Sequence, residues 1–571
     1  MADDVYEPLG AYRDGFKEKF ARITREKFKA LTKESGIDVE VCRKQTKVVE
    51  KCQRELDGAT AKRTLFGVLM ALGYVACAIG FGLLIAANDS LTDEARLVAI
   101  LVGVVGGAFG IWMTILFVKA GDLVRRCKAA LDEEKKKAWE LMAPLNRLYT
   151  WDIPVRLIEE TVPRIEFDSF FTARRLEDLR RLYDWDDSFN DGKSIIFAQS
   201  GVINGNPFLI GEYLEMEWGS ETYVGTKEIS WTEFETGVDG KRRRVTRYET
   251  LRAEVTKPKP EYSQSKVLVY GNDAAPNLKF SRKPSGFDDN DLFDGIRKRW
   301  RLHKLKAFSR NLKDDSNFTL MANHEFETWF HAKDRDNEVE FRLLFTALAQ
   351  TQMMALMKDR EVGFGDDFVF VKDRKLNYIF PRHLAEAAID TDPERFHDWN
   401  YDRAASNFIR FNEKYFRDVY FALAPLLAIP LYQQTRTHEE IWRSVVRGES
   451  SSFWEHEATA NYYGDDRFKH PASITRNILK TELVRRASGV SDVRVTAHGY
   501  RGEKRVDHEE VYGGDGKWHS VPVEWIEYLP VEKTRVMRLT EAECPDGEFV
   551  ADYERSRAAF FRRSIYSYLR G

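Results

Sequence analysis

Residues 65 to 87 read LFGVLMALGYVACAIGFGLLIAA, and residues 97 to 118 read LVAILVGVVGGAFGIWMTILFV. Neither run contains a charged side chain, and the polar sequence NDSLTDEAR separates them. An α-helix rises about 1.5 Å per residue, so each run is long enough to cross the ~30 Å hydrocarbon core of a bilayer. The pattern predicts a transmembrane helical hairpin, and the alternative is a helical hairpin buried inside a large globular core.

Basic residues lie next to both open ends of this hairpin. They are Lys62 and Arg63 before the first run, and Lys119, Arg125, Arg126 and Lys128 after the second. The connection at residues 88 to 96 is mainly acidic. Lys and Arg close to membrane ends stay in the cytoplasm. The sequence therefore predicts a multi-pass protein of the cell membrane, with two helices and both termini cytoplasmic. The absence of charge within the two runs argues against a pore or transporter.

Glycine recurs in both apolar runs, at positions 67, 73, 80 and 82 and again at 103, 106, 107 and 110. Lipid provides no hydrophobic drive for helices to associate, and small residues let two helix backbones approach closely. The glycines therefore suggest a tightly packed helix pair. The alternative is that Gly is simply common in membrane helices.

Length and composition limit the remaining possibilities. The chain has 571 residues, which leaves room for two or three soluble domains beside the hairpin. Its 88 basic and 91 acidic residues give a net charge of −3, which offers no electrostatic case for binding nucleic acid. Five Cys residues in such a chain fit reduced thiols in a cytoplasm. The start, MADDVYEPLG, lacks the features of a cleavable signal peptide.

Helical patterns flank the hairpin on both sides. Residues 11 to 33 form a basic amphipathic pattern, which predicts a helix that lies on an anionic membrane or packs on the protein's own body. Two further apolar patterns, at residues 37 to 56 and 124 to 148, continue the membrane runs. Their apolar positions are Val41, Val48, Cys52 and Leu56 in the first, and Val124, Cys127, Leu131, Ala138, Leu141, Leu145 and Leu148 in the second. Spacings of this kind predict two helices that pair antiparallel as a cytoplasmic stalk.

A β-rich part follows Pro154 and Pro163. Alternating segments bounded by Gly, Asn and Pro lie at residues 194–200, 207–218, 221–231, 243–255 and 265–271, with VDGK at 238–241 as a turn. The sequence KRRR at 241–244 invites a nucleic-acid or lipid-headgroup interpretation. We favour a solvated hairpin tip, because Glu233, Glu235, Asp239 and Glu249 offset the charge.

The segment from Asn323 to Ile379 carries an ordered motif: an acidic-Phe-acidic start, an aromatic residue three positions later, and Glu-x-Arg before an apolar helix. The matching residues are Glu325, Phe326, Glu327, Phe330, Glu340 and Arg342. This motif resembles the core of an uncharacterised bacterial membrane-protein family, domain of unknown function 3137. The resemblance covers about a third of the chain, and Ala347 stands where the family has Pro. It implies a membrane helical pair ahead of such a domain, and it implies no known activity.

Most apolar residues of this segment are expected in the core, rather than in an aromatic binding box. They are Phe326, Trp329, Phe330, Phe341, Leu344, Phe345 and Leu348. Glu340 and Arg342 are two residues apart, so they cannot face each other on one helix. We expect each to have another partner.

The C-terminal part contains both helical and strand-like sequence patterns. Residues 422–434 are apolar but too short and too interrupted by Pro425 and Pro430 to span a membrane, which predicts a buried or membrane-grazing segment. Segments 493–500, 505–512 and 517–529 predict strands, with YRGEK and GGDG as turns. A last helix at 549–569, which carries Arg555, Arg557, Arg562, Arg563 and Arg570, is expected to pack on the body or to touch an anionic bilayer.

Two groups of residues are candidates for chemistry. The stretch 454–471 contains Glu455, His456, Glu457 and His470, with Asp465 and Asp466 between them. These residue types suit a divalent metal, but zinc ligands on one helix are spaced three or four apart and this stretch lacks that spacing. The other group is His508 and His519, expected on one sheet face with His498 on the opposite face. Hydrogen-bonded structural residues are the alternative in both cases, and we assign no metal or catalytic residue.

The sequence predicts an α+β protein. We expect amphipathic and stalk helices at 1–63, a transmembrane hairpin at 64–118, a returning stalk helix at 119–150, a β-rich α+β domain at 151–398 and a C-terminal α+β region at 399–571. With neither G-x-x-x-x-G-K-[ST] nor G-x-S-x-G present, no cofactor is predicted and an enzyme is not favoured. The expected function is a membrane-anchored cytoplasmic binding or scaffolding protein, with the bilayer and a protein or second copy as partners. The alternative is a membrane-tethered, metal-dependent hydrolase that uses the Glu455–His470 group.

Overall fold

The computed structural model describes residues 7–86, 92–236, 242–287, 318–434, 450–542 and 547–570, and six single positions between 297 and 305. The chain divides into two compact units. The first unit comprises residues 1–20, 151–391 and 414–571, and the second comprises residues 21–150 and 392–413. The fold mixes helices with antiparallel sheets, which confirms the α+β class at that level.

The helices are α1 (Pro8–Ala11), α2 (Lys17–Ser35), α3 (Val39–Ala86), α4 (Asp93–Asn146), α5 (Ile153–Thr161), α6 (Ala173–Tyr183), α7 (His324–Phe330), α8 (Glu338–Leu344), α9 (Ala347–Lys358), α10 (Tyr401–Leu427), α11 (Pro430–Gln434), α12 (Phe453–Tyr462) and α13 (Gly547–Arg555). The strands are β1 (Ile165–Phe167), β2 (Lys193–Ile203), β3 (Asn206–Thr236), β4 (Arg242–Gly271), β5 (Lys279–Arg282), β6 (Phe368–Asp373), β7 (Leu376–Pro381), β8 (Ile478–Ala487), β9 (Val490–Tyr512), β10 (Trp518–Thr540), β11 (Ala559–Arg562) and β12 (Ile565–Leu569). A π-helical segment, Tyr12–Phe16, joins α1 to α2.

Two long helices, α3 and α4, dominate the second unit. Both are long and apolar enough to cross a membrane by length and composition. Their backbones touch at glycines: a Cβ atom at Gly80 would lie 2.5 Å from the backbone nitrogen of Gly103, and one at Gly73 would lie 2.8 Å from that of Gly110. No larger side chain fits such an approach without moving the backbone, so these glycines are packing positions. The short connection between the helices lies mainly outside the described residues.

The same two helices also pair along the predicted stalk seams. Leu131 and Ala138 of α4 are buried against Val49 of α3, with Cys52 and Leu56 in the same cluster. A side-chain amide adds a polar contact, because Gln45 Nε2 donates to the Glu134 carboxylate at 2.7 Å. Apolar contact and this hydrogen bond together hold the antiparallel pair.

The prediction for the first seam was wrong at two positions. Val41 and Val48 are 42% and 41% exposed, whereas their neighbours Cys42 and Val49 are buried. The steps from Cys42 through Val49 and Cys52 to Leu56 are seven, three and four residues, which keep to the 3.5-residue repeat of two paired helices. The predicted steps from Val41 through Val48 and Cys52 to Leu56 are seven, four and four residues, which depart from that repeat by one residue.

The first unit contains two antiparallel sheets. One has seven strands in the order β1-β2-β3-β4-β7-β6-β5, and the other has five in the order β11-β12-β10-β9-β8. Helix α12 takes part in the cores of both sheets: its Trp454 and Ala458 belong to the core of the larger sheet and its Ala460 to that of the smaller. This explains why α12 is buried on nearly every side, polar residues included.

The structure contains the predicted N-terminal helix but only the first part of the predicted C-terminal helix. At the N-terminus, the apolar side chains Tyr12 and Phe20 are buried, and the Phe20 ring stacks on Phe416 at 4.3 Å between centroids. Of the two alternatives for this helix, packing on the protein itself therefore accounts for its apolar face. The 422–434 segment is also buried, as predicted, within α10 and α11.

The predicted helix at 549–569 was wrong beyond Arg555. The chain instead forms the hairpin β11–β12, which completes the smaller sheet. Arg563 and Ser564 form its two-residue turn with φ of 48° and 67°, the left-handed conformation that tight hairpins require. Arg562 and Arg563 are buried, so their side chains are not available to a bilayer.

The predicted core of the 323–379 segment is confirmed except at Leu348, which is 44% exposed. Glu340 and Arg342 have separate partners, as expected. The Glu340 carboxylate accepts from the backbone and side chain of Asn277 at 2.9 and 2.8 Å, and Arg342 Nε donates to Glu338 at 3.4 Å.

Candidate interaction site

The polar cluster singled out by sequence lies on the buried helix α12. Glu455 faces two arginines of the β11–β12 hairpin: its carboxylate lies 3.4 Å from Arg562 and 3.1 Å from Arg563. It also accepts a hydrogen bond from the backbone N–H of Phe171 at 2.9 Å. A buried carboxylate with these three partners is fully engaged within the protein, so Glu455 is a structural residue.

Glu457 points to a different neighbourhood. Its carboxylate accepts from the backbone N–H of Ile195 and from Asn190 Nδ2, both at 3.0 Å, and lies 3.2 Å from Lys480 Nζ. The β2–β3 register shifts between Ile195 and Phe197, and Glu457 binds the Ile195 amide at this irregularity. Burial nevertheless raises the pKa of Glu457 to about 7.

His456 and His470 complete the cluster in sequence but have separate partners. His456 Nε2 lies 3.0 Å from the Ser451 hydroxyl, and burial lowers the pKa of this histidine to about 4. His470 Nδ1 accepts from the backbone N–H of Ala472 at 3.1 Å. Among the residues that the structure describes, no group of three or more His, Cys, Asp or Glu is arranged to hold a metal ion.

The pKa values of His456 and Glu457 predict opposing pH effects on stability. Glu457 stabilises the fold fully below its ordinary pKa of 4.5, and this contribution is lost as pH rises towards about 7. His456 stabilises the fold fully above its ordinary pKa of 6.5, and this contribution is lost as pH falls towards about 4. Between pH 5 and 7, the two groups therefore change the stability of the fold in opposite directions as pH rises.

We expect single substitutions to reveal how each group changes the free energy of unfolding with pH. Relative to the unchanged chain, His456→Gln should lose stability as pH rises from 5 to 7, and Glu457→Gln should gain it. Each change should be on the order of 2 kcal/mol. Urea unfolding at pH 5, 6 and 7 measures both. Parallel pH profiles for the three proteins would show that these two groups do not titrate differently on folding.

The second histidine group does not form. The strand β9 continues through the predicted YRGEK turn, and the GGDG turn pairs Tyr512 with Trp518 and Val511 with His519. The prediction that His508 and His519 share a face requires a register one residue away from this one, and such a slip moves every side chain to the other face. His508 pairs with Pro522, so it shares a face with His498, opposite to His519. His519 Nε2 instead lies 2.9 Å from Asp515.

A different feature of the first unit is an extended β arm. We define the arm as residues 216–236 and 242–267 of β3 and β4 together with residues 499–512 and 518–536 of β9 and β10. Strands β3 and β4 pair from Phe208 and Tyr270 to Thr236 and Arg242, but β2 ends its pairing at Glu215 and β7 pairs β4 only from Leu268. At about 3.3 Å per residue, the β3–β4 part of the arm extends for roughly 70 Å. It was predicted as several short strands.

The two ribbons of the arm pack face to face. Their shared core is made of Ile229, Leu251, Ala253, Val255, Val521 and Val523, with Tyr223, Trp231, Val511 and Trp525 around it. These are odd-numbered residues on each ribbon, so one face of each ribbon is buried. Polar contacts tie the ribbons together at their edges: Lys257 Nζ lies 2.5 Å from Asp507, and Lys227 Nζ donates to the Ser520 carbonyl at 3.0 Å.

Gly225 lies where the ribbons come closest, because a Cβ atom at this position would clash with the carbonyl oxygen of Pro522. We expect Gly225→Val to force the ribbons apart, at a cost of about 1–3 kcal/mol. Protease should then cut the β9–β10 turn faster. Thr226→Val is the matched control, because Thr226 is exposed on the opposite face of the same strand. Equal cleavage of both variants would contradict this packing.

Large aromatic side chains are exposed near the end of the arm. Tyr248 is 81% exposed and Phe234 is 71% exposed, and at the β9–β10 turn Trp518 and Tyr512 are 67% and 57% exposed. Exposed aromatic residues of this kind typically mark sites of protein–protein or membrane interaction. This site was not predicted from the sequence, although Phe234 and Tyr248 lie close to KRRR along the chain. The predicted VDGK turn lies outside the described residues.

Comparison of the chain with protein-family models, curated proteins and solved structures gives no match. The resemblance to the uncharacterised membrane-protein family therefore stays a prediction.

Proposed function

We propose that the chain is a membrane-anchored cytoplasmic binding or scaffolding protein whose β arm holds a partner. The arm is the observation that carries this proposal. The second ribbon packs along one face of the β3–β4 ribbon and limits its movement. The exposed aromatic side chains at the end of the ribbon therefore lose less conformational freedom when they bind a partner. Tyr and Arg are also the residue types that supply most of the binding energy at interfaces.

The anchor is supported by the apolar halves of α3 and α4. A core helix of a soluble protein is mostly buried, whereas only 11% and 22% of the most apolar windows of these helices are buried. Exposed side chains such as Leu72, Ile79, Leu101 and Ile111 would need lipid around them. The basic residues at both open ends of the hairpin favour a cytoplasmic location for both termini. The bilayer is thus one partner, and a protein or a second copy of the chain is the other.

Photo-crosslinking in cells tests the proposed function. A benzophenone amino acid replaces Phe234 or Tyr248 in turn, and the matched control replaces Val484, a 50% exposed residue of β8. We expect both arm positions to give one adduct of the same mass in the membrane fraction, with none at Val484. An adduct of twice the chain mass would identify a second copy as the partner. The absence of an arm-specific adduct would contradict the proposed function.

A further inference from the structure

The two faces of the ribbon at the end of the β arm carry different charged residues. Beyond the β9–β10 turn, the even-numbered face of the β3–β4 ribbon carries four consecutive cross-strand pairs. They are Ser230–Tyr248, Thr232–Thr246, Phe234–Arg244 and Thr236–Arg242. We call this face the outer face. It contains two arginines and two aromatic residues, and these eight positions include no acidic residue.

The acidic residues lie on the opposite, inner face. Glu233 accepts from Trp231 Nε1 at 2.8 Å and from Arg247 Nε at 2.9 Å, and Glu235 lies 3.6 Å from Arg247. These acids are therefore engaged with inner-face groups. Glu233 and Glu235 do not face Arg242 and Arg244, because neighbours in a strand point to opposite faces. Asp239, which was also expected to offset the KRRR charge, lies outside the described residues. Within the described part of the chain, neither of these two arginine side chains has an ion pair or hydrogen bond.

The β4 edge of the ribbon has no second strand paired to it among the described residues of the arm. Among the described residues, β4 pairs only with β3 from Arg242 to Val267. An unpaired strand edge offers a row of N–H and C=O groups to an added strand, and side chains of the added strand lie beside those of the edge strand on the same face. Acidic side chains on a strand added to β4 would lie next to Arg242 and Arg244.

From these observations we infer that the outer face and the β4 edge bind an extended acidic segment of a partner protein, which adds as a strand. The inference rests on the proposed function and names the chemistry of its partner. Arg242 and Arg244 supply the charge, Phe234 and Tyr248 supply apolar contact, and the β4 edge supplies backbone hydrogen bonds. A lipid surface would use the arginines and the aromatic residues, but it would not need an open strand edge.

Binding of a labelled peptide to the full chain in nanodiscs of neutral phosphatidylcholine tests this inference. The probe is a ten-residue peptide of alternating Glu and Val, compared with a Lys and Val peptide and with an N-methylated Glu and Val peptide. We expect only the first to bind well, because the second repels the arginines and the third lacks edge hydrogen bonds. Equal binding of the N-methylated peptide would overturn strand addition.

Two variants with the same change in net charge locate the binding face. Arg244→Glu reverses a charge on the outer face, and Arg243→Glu does so one residue away on the inner face. We expect the first to weaken peptide binding about tenfold and the second by less than about threefold. Equal loss in both would indicate non-specific attraction and overturn the assignment. Binding to phosphatidylglycerol vesicles that depends on Arg244, without peptide binding, would instead identify lipid as the ligand.

These outcomes separate the inference from the proposed function. If benzophenone at Phe234 still gives its adduct in the Arg244→Glu variant, the arm binds a partner but not through an acidic segment, so only the inference fails. If no adduct forms in the unchanged chain, the proposed function fails as well.

Discussion

Replacing Glu455 with Gln is expected to destabilise the first unit by about 3–5 kcal/mol, the cost of breaking a buried ion pair by removing one partner. The amide of Gln has nearly the shape of the carboxylate but no charge. Arg562 and Arg563 would then remain buried beside each other without the charge of the carboxylate that pairs with both. Urea unfolding followed by tryptophan fluorescence measures the loss, since the buried Trp454 is adjacent in sequence.

Glu482→Gln provides the matched control for this substitution. Glu482 lies 2.8 Å from Arg494, but both side chains are largely exposed, at 69% and 47%. An exposed ion pair contributes only about 0–1 kcal/mol, so the control should change the unfolding midpoint little. A loss for Glu455→Gln no larger than that of the control would mean that the two arginines are not held by this carboxylate.

Replacing Gly80 with Leu is expected to separate the apolar halves of α3 and α4. The new side chain would meet backbone atoms, the Gly103 nitrogen at 2.5 Å and the Ala99 carbonyl oxygen at 2.7 Å from its Cβ, and neither can rotate away. Gly82→Leu is the matched control. It adds the same side chain two residues further along α3, where nothing lies within 4 Å.

A disulfide reports this separation. At position 107 a Cβ atom would lie 4.0 Å from Cys77 Cβ, within the range that a disulfide bridges. We expect Gly107→Cys to crosslink to Cys77 on oxidation, and mass spectrometry of digests with and without reductant detects the bond. The crosslink should persist in the Gly82→Leu background and largely disappear with Gly80→Leu. Equal crosslinking in both backgrounds would contradict the glycine contacts.

Patterns that depend only on local spacing were predictable from the sequence. The two apolar runs, the β segments between residues 194 and 271 and the GGDG turn follow from hydrophobic periodicity and turn residues. The structure places all five β segments in strands, but joins them into three long strands. The apolar face at Tyr12 and Phe20 was also visible. Its packing partner was not, because Phe416 lies almost 400 residues further along the chain.

Errors arose where register or distant partners decide the outcome. A one-residue difference at the GGDG turn moved His519 to the opposite face from His508, and no local pattern fixes such a register. Arg562 and Arg563 resembled a basic helix face, but the turn at Arg563 and Ser564 and the distant Glu455 place them in the interior. Side chains around KRRR could not be assigned to faces until the β3–β4 pairing was known.

Protease protection in spheroplasts tests most directly whether an apolar hairpin anchors a cytoplasmic body. We expect the chain to resist alkaline extraction from membranes and to stay intact when protease is added outside, since only residues 88 to 96 would be exposed there. Opening the membrane should allow digestion of the β arm and leave a protected fragment that contains residues 65–86 and 97–118. Release of the chain by alkaline extraction would contradict the membrane anchor. Digestion of the part after residue 150 from the outside of sealed spheroplasts would contradict its cytoplasmic location.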